Sequence, residues 1–323
     1  MPTLSAPHVS LLNRLLDCTV LPGMLTFTRP AHWLRHAFAA PLTDSLKGRR
    51  IVITGATSGL GLASANALAG LGADLVIVGR DRQKLAATAA SISSLPGVNA
   101  PATERADLSL MTEVRSLAMR LLADPAPIHV LINNAGALFG ERALTAEGNE
   151  RSLAINLLSP FLLTNLLIPR LVESAPARII NVSSGGMYTQ GIDVDDLQNA
   201  RGDYSGTVAY ARAKRGQVIL TQRWARELAD RNVVVHAMHP GWADTPGVRT
   251  SLPGFFKVTR PLLRSAGEGA DTIVWLAAAP APATSTGGFW LDRAPHLTHV
   301  LPGTRASTAQ RQRLWEELES LAG

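Results

Sequence analysis

Of the three tyrosines in this 323-residue chain, only Tyr210 has a lysine four positions on. Tyr188 is followed at that spacing by Ile192, and Tyr204 by Val208. On a helix, i, i+4 spacing places Tyr210 and Lys214 on one face. A free phenol, with a pKa of about 10, is a poor acid or base near neutrality. A neighbouring ammonium favours the phenolate, which would equip the pair to exchange a proton with a carbonyl or alcohol oxygen. The same spacing also describes an ordinary solvated helix face, so the segments around it must decide.

Far upstream, the apolar run Ile51-Val52-Ile53 ends in Thr54-Gly55-Ala56-Thr57-Ser58-Gly59-Leu60-Gly61. Glycines between a strand and a helix let backbone approach a pyrophosphate, whose charge then meets the helix N-terminus. The next strand runs into Val78-Gly79-Arg80-Asp81. An acidic residue at this strand end would bind a ribose 2′-hydroxyl, whereas an arginine accommodates a 2′-phosphate. Gly79 followed by Arg80 therefore predicts NADP(H), with Arg82 or Lys84 as helpers and NAD(H) as the alternative. Asp81 could turn back toward the ribose. Asp107-Leu108 and Asn133-Asn134-Ala135-Gly136 follow the third and fourth strands, at the carboxyl ends where ligands sit in open α/β sheets. Ser183 and Ser184 end the fifth, and strand alternation lets only one of them face a reacting carbonyl. After the sixth comes His239-Pro240-Gly241-Trp242-Ala243-Asp244-Thr245, where Pro240-Gly241 turns the chain over a nicotinamide and Thr245 is spaced to bind its carboxamide. His239 reads as structural, and Asp244 as either a local turn bond or a supporting group. No cluster of His, Cys and carboxylates has metal-ligand spacing.

The elements that must position these residues alternate. Strands are expected near 51–54, 75–78, 102–106, 130–132, 178–182, 233–237 and 288–291. Helices are expected at 60–71, 82–92, 111–122, 208–228 and 266–278, and a long one at 147–172 bent at Pro160. This predicts an α/β fold, one doubly wound parallel sheet of about seven strands flanked by helices. The 46 % hydrophobic and 17 % charged content supplies an ample core. The net charge of +6 comes from scattered arginines without a stripe, so no nucleic-acid role is expected. Cys18 is the only cysteine, which excludes an intrachain disulfide.

Taken in order, the T-G-x-x-x-G-x-G turn, Asn-Asn-Ala-Gly, the paired serines, Tyr-x-x-x-Lys and Pro-Gly resemble the non-extended short-chain dehydrogenase/reductases across residues 50 to about 295. The resemblance implies a Rossmann-type fold and hydride transfer between a nicotinamide and a carbonyl or alcohol carbon. It implies catalytic roles for Asn156, Ser184, Tyr210 and Lys214. Ser184 would polarise the oxygen, Tyr210 exchange the proton, Lys214 hold the ribose and lower the phenol pKa, and Asn156 hold a water linked to the lysine. For the cofactor it implies Gly55, Thr57, Ser58, Gly59, Leu60, Gly61, Arg80, Asp107 at the adenine, Leu108, Asn134, Ala135, Gly136, Tyr210, Lys214, Pro240, Gly241 and Thr245. The glycine spacing of extended sugar-nucleotide epimerases, T-G-x-x-G-x-x-G, is not present. A homo-oligomer through the long helices is implied as well.

Residues 1–48 read as a Pro-interrupted helical extension, with a piece at Ala31–Ala39, ahead of a single domain at 49–323 that ends in a tail. Leu11, Leu12, Leu15, Leu16, Trp33, Leu34 and Phe38 would pack on that domain. Alternatively, they would touch a membrane surface or cover a substrate pocket. No membrane-length apolar stretch or signal peptide is expected, which suggests a cytoplasmic protein with peripheral membrane contact as the second reading. Segments Gly185–Gly206 and Pro246–Arg264 are expected to meet the substrate. The apolar residues of the second, Val248, Leu252, Phe255, Phe256, Val258, Leu262 and Leu263, predict a flap over a hydrophobic aldehyde, ketone, steroid-like or lipid-derived alcohol. The contrasting possibility is an NADPH-binding sensor or scaffold without turnover.

Overall fold

The computed structural model describes residues 4–19, 25–37 and 39–323. Seven parallel strands form the sheet: β1 (Arg50–Thr54), β2 (Asp74–Gly79), β3 (Ala102–Arg105), β4 (Val130–Asn133), β5 (Ala177–Val182), β6 (Val233–Met238) and β7 (Phe289–Leu291). An eighth, β8 (Ala294–His296), pairs antiparallel with β7, giving the order β3-β2-β1-β4-β5-β6-β7-β8. Ile51, Val52 and Ile53 are completely buried, as strands covered on both faces require.

The covering helices are α3 (Gly59–Gly70), α4 (Arg82–Ser93), α5 (Met111–Ala123), α6 (Arg151–Glu173), α7 (Gly206–Glu227) and α10 (Ala266–Ala278). One face packs α5, α6 and α7 through Val114, Leu117, Phe161, Leu167 and Leu220. The other packs α3, α4 and α10 through Ala65, Leu68, Ile92, Ile273 and Leu276. Strand order reverses between β1 and β4, which opens a crevice at their carboxyl ends.

Four features depart from expectation. Helix α6 starts at Arg151, because Glu150 caps it by accepting from Ser152 N and Leu153 N. Glu147, expected inside this helix, instead caps α5 through Met111 N and Thr112 N. Residues Ala154–Leu158 form a π turn, with Pro160 in the turn that follows. Proline has no N–H to give the carbonyl four residues back, and that carbonyl, on Asn156, accepts from Gln217 Nε2 at 2.7 Å instead. Although 23 residues long and apolar enough to span a membrane, α6 is mostly buried in the domain, and we read it as a core helix.

Strand β8 is the second departure. It follows a two-residue turn, Asp292-Arg293, with φ of 49° and 60°, a geometry that usually selects Asn-Gly. Here ion pairs to Arg264 and from Arg293 to Asp271 hold it. The third departure is α11 (Thr308–Ala322), within the expected tail. Its Trp315 packs on Phe161 of α6 and Trp224 of α7 at 4.9 and 6.3 Å between centroids. Part of the long-helix face expected for self-association is thus covered by the chain itself.

The fourth concerns the N-terminal segment, helices α1 (Leu11–Cys18) and α2 (Arg29–His36). It attaches through polar groups and through Phe27, which packs on His239 and Trp242. Asn13 donates to Pro295 O, Asp17 accepts from Leu297 N, and His36 meets Asp271. Leu11, Leu12, Leu15, Trp33 and Leu34 remain more than half exposed. Leu16 is half-buried, and Phe38 lies outside the described residues.

Candidate active site

Backbone sterics shape the crevice. A Cβ on Gly61 would lie 2.1 Å from Gly55 O, so only glycine lets α3 begin so close to the end of β1. Asn134 locks the opposite lip, donating its Nδ2 to Thr54 O at 2.8 Å. Thr54 Oγ1 accepts from Asn134 N and Ala135 N. The resulting cleft, of about 350 Å³, brings together Gly55, Thr57, Ser58, Gly59, Leu60, Gly61, Arg80, Asp107, Leu108, Asn134, Ala135, Gly136 and Thr245. Gly79 and the Pro246 and Gly247 start of the expected substrate segment also line it, as do Ala106, Ala137, Phe139 and Ile155, which were not foreseen. A glycine cradle at a helix N-terminus, placed at the strand-order reversal, suits a dinucleotide pyrophosphate.

Of the other residues expected at the cofactor, Pro240, Gly241, Tyr210 and Lys214 do not line this cleft. Pro240 O accepts from Arg264, and a Cβ on Gly241, at φ +73°, would strike that guanidinium. Asp81 caps α4, its Oδ1 accepting from both Gln83 N and Lys84 N. Asp107 Oδ1 accepts from Ser109 N and Oγ, stiffening the turn after β3.

Helix α7 carries Tyr210 and Lys214, and the end of β5 leads into Ser184. Ser205 caps α7, and from there Tyr210 and Lys214 share a face, the Lys214 ammonium lying 5.5 Å from the Tyr210 ring centre. The Tyr210 hydroxyl neighbours that of Ser184, which acts on its titration. Ser184 Oγ also accepts from Gly186 N at 3.1 Å. Ser183 faces the other way, its Oγ donating to Lys214 O at 2.9 Å and tying β5 to α7.

Lys214 is buried and donates to Val182 O at 2.8 Å and toward Gln217 Oε1 at 3.4 Å. Burial lowers its pKa to about 7. The phenol of Tyr210 is pushed above its ordinary value by burial, and the Ser184 hydrogen bond opposes that rise. The expected lowering of the phenol by the lysine is therefore not what this geometry produces, since the ammonium is turned to Val182 O.

Asn156 reaches the same place through its π turn. Its Oδ1 accepts from Ala137 N and its Nδ2 donates to Ala137 O, fixing the loop after β4. Gln217, absent from the sequence reading, joins Asn156 O to the lysine by donating to the first and accepting from the second. Its position three residues after Lys214 on one helix face was the available signal.

His239 is buried and stacks on Phe289. Its Nδ1 accepts from Gly241 N, and burial drives its pKa well below the usual value. It is a neutral turn-former. Asp244 forks onto Arg249 at 2.6 and 2.9 Å, resolving it as a local pair. Away from the cleft, His32, His36 and Asp292 approach closely enough to ligate a metal. Both Asp292 oxygens are, however, taken by the buried Arg264 fork at 2.6 and 2.9 Å.

The short chain dehydrogenase family profile matches residues 49–253. Dehydrogenase/reductase SDR family member 12 of Bos taurus is 42 % identical over 283 residues, covering 87 % of this chain and 88 % of the relative. Retinol dehydrogenase 12 of Homo sapiens is 35 % identical over 280 residues, covering 86 % and 87 %. Among solved structures, the Pseudomonas aeruginosa RhlG/NADP active-site complex superposes with a TM-score of 0.63 at 27 % identity, over 77 % of this chain and 96 % of that one. The chain belongs to the short-chain dehydrogenase/reductase family and is an NAD(P)-dependent oxidoreductase acting between CH–OH and C=O.

Proposed function

We propose that the chain is an NADP(H)-preferring reductase of apolar aldehydes and ketones, or the corresponding alcohol dehydrogenase. The observation that carries the chemistry is the placement of Tyr210 beside Ser184, with Lys214 on the same helix face 5.5 Å from the Tyr210 ring centre. When bound, the nicotinamide supplies or accepts the hydride. Ser184 donates a hydrogen bond to the carbonyl oxygen, and Tyr210 delivers its proton to that oxygen during reduction. Lys214 then leaves Val182 O to hold the ribose, where its charge favours the phenolate. Asn156 and Gln217 hold the lysine end of the proton path.

The NADP(H) preference rests on Arg80, exposed at the cleft rim, and on Gly79. A Cβ on Gly79 would lie 3.0 Å from Thr57 Cγ2 and 3.3 Å from Leu85 Cδ2, leaving little room for a ribose-binding carboxylate. The apolar substrate class is supported by the flap helices α8 (Pro246–Ser251) and α9 (Pro253–Thr259), where Phe255 and Phe256 are only partly covered. A relative named for retinol agrees with that class. The exposed Leu11, Leu12, Leu15, Trp33 and Leu34 also support a peripheral membrane contact. NADPH and NADH consumption over a panel of apolar carbonyls and small polar sugars tests the proposal. Turnover restricted to the apolar compounds with NADPH is expected. Tight NADPH binding without turnover in either direction would favour a sensor or scaffold instead.

A further inference from the structure

We propose that Phe27 is a specificity-determining residue of the carbonyl site, its ring forming the wall beside Ser184 against which an apolar substituent packs. This rests on the reductase assignment above and adds what selects the substrate. Phe27 belongs to the N-terminal segment, outside the stretch matched by the family profile. Its ring lies so close to the backbone after Ser184 that a Cβ on Gly185 would be 2.9 Å from Phe27 Cε2. Gly185 follows Ser184 directly, so the ring stands against the backbone that presents the Ser184 hydroxyl.

The wall is anchored and continuous. Phe27 O accepts from Trp242 N at 2.8 Å and from Arg264 Nε at 3.0 Å. Arg264 also donates to Thr26 O at 2.8 Å while its fork grips Asp292. Three donors, Trp242 N, Arg264 Nε and Arg264 Nη2, thus fix a short piece of N-terminal backbone beside the Pro240–Trp242 turn. The Phe27 ring stands edge-on to His239 at 4.4 Å and to Trp242 at 6.2 Å. Trp242 in turn meets Phe255 of the flap edge-on at 5.2 Å. An aromatic surface thereby runs from the N-terminal segment to the flap, and Phe27 and Trp242 both stay half-buried rather than sealed into the core. Such a rigid surface favours hydrocarbon or aromatic substituents over hydroxylated ones.

The competing role is plain packing, because the ring also touches the cluster of Met187, Tyr188 and Phe289. Full-length Phe27→Ala and Phe27→Leu separate the two. The readouts are kcat/KM with NADPH for a bulky aromatic ketone, a long-chain aldehyde and a three-carbon aldehyde, together with KM for NADPH and a thermal melt. Substrate selection predicts that Phe27→Ala loses about tenfold or more on the two bulky compounds through KM. The small aldehyde and the NADPH KM should change by less than about twofold, and Phe27→Leu should fall between. Equal losses on all three substrates, or no change in their ratio, would overturn the proposal. If Phe27→Ala fails to fold, the ratio in Phe27→Leu decides alone. A wild type that reduces none of these compounds would sink the reductase assignment itself, whereas an active enzyme with unchanged selectivity sinks only the role of Phe27.

Discussion

Replacing Lys214 with methionine should inactivate the enzyme yet stabilise it at mildly acidic pH. Burial lowers the lysine from 10.5 to about 7, equivalent to a cost of about 5 kcal/mol for keeping the ammonium folded wherever both states are charged. Methionine is of similar length and removes that cost, but forfeits the bond to Val182 O, worth about 3 kcal/mol for a charged donor. The balance is a gain of about 2 kcal/mol at pH 6, or about 3 °C in Tm for a chain of this size. The gain fades at high pH. Between about 7 and 10.5 the unfolded chain holds the proton that the folded chain has lost, so wild-type stability from this group rises with pH. By pH 10 the residual cost is about 1 kcal/mol, and the folded amine, by then neutral, makes a bond to Val182 O worth about 1 kcal/mol, so the two chains should be nearly equal in stability. Paired thermal melts at pH 6 and pH 10 measure the loss of the gain, with other titrating groups cancelling. A variant less stable by the same margin at both values would refute a buried ammonium carrying that cost.

Two further perturbations probe the cofactor and the N-terminal clasp. Arg80→Leu should raise the KM for NADPH about tenfold or more, the worth of one or two charge-assisted bonds to a phosphate, while leaving NADH kinetics nearly unchanged. Equal losses with both cofactors would remove Arg80 from 2′-phosphate recognition. Asp292→Asn leaves the buried Arg264 without its counter-ion and should destabilise by about 3–5 kcal/mol, read as a fall in Tm at pH 7. Its neighbours hold the Asp292 carboxyl below the usual range, so its contribution is complete above about pH 4 and declines below it. The gap between the wild-type and variant melts should narrow by only about 1 kcal/mol as the pH falls to 3, because the folded carboxyl is still ionised there.

Local signals made the sheet and much of the site legible. Ile51-Val52-Ile53 can only be a strand buried on both faces, and the glycines that follow permit the β1–α3 approach seen at Gly61. Tyr210 and Lys214 were recognisable because their spacing is itself the geometry of a helix face. Other features depend on partners remote in sequence. The π turn holding Asn156 is stabilised by Gln217, 61 residues away. The β7–β8 turn at Asp292-Arg293 lacks a glycine and is held instead by Arg264 and Asp271. Nothing around Phe27 announces a site residue, because its placement comes from Arg264, 237 residues later. Helix α11 was within reach, since Ser307 and Gln310 form a capping box ahead of buried Leu314 and Leu318.

The proposed role of Tyr210, exchanging the proton at a carbonyl oxygen shared with Ser184, is tested most directly by comparing wild type and Tyr210→Phe for NADPH binding by fluorescence titration and for reduction of one apolar ketone. NADPH affinity should be nearly equal, and kcat should fall about a hundredfold or more in the variant. A variant that keeps wild-type kcat would contradict it.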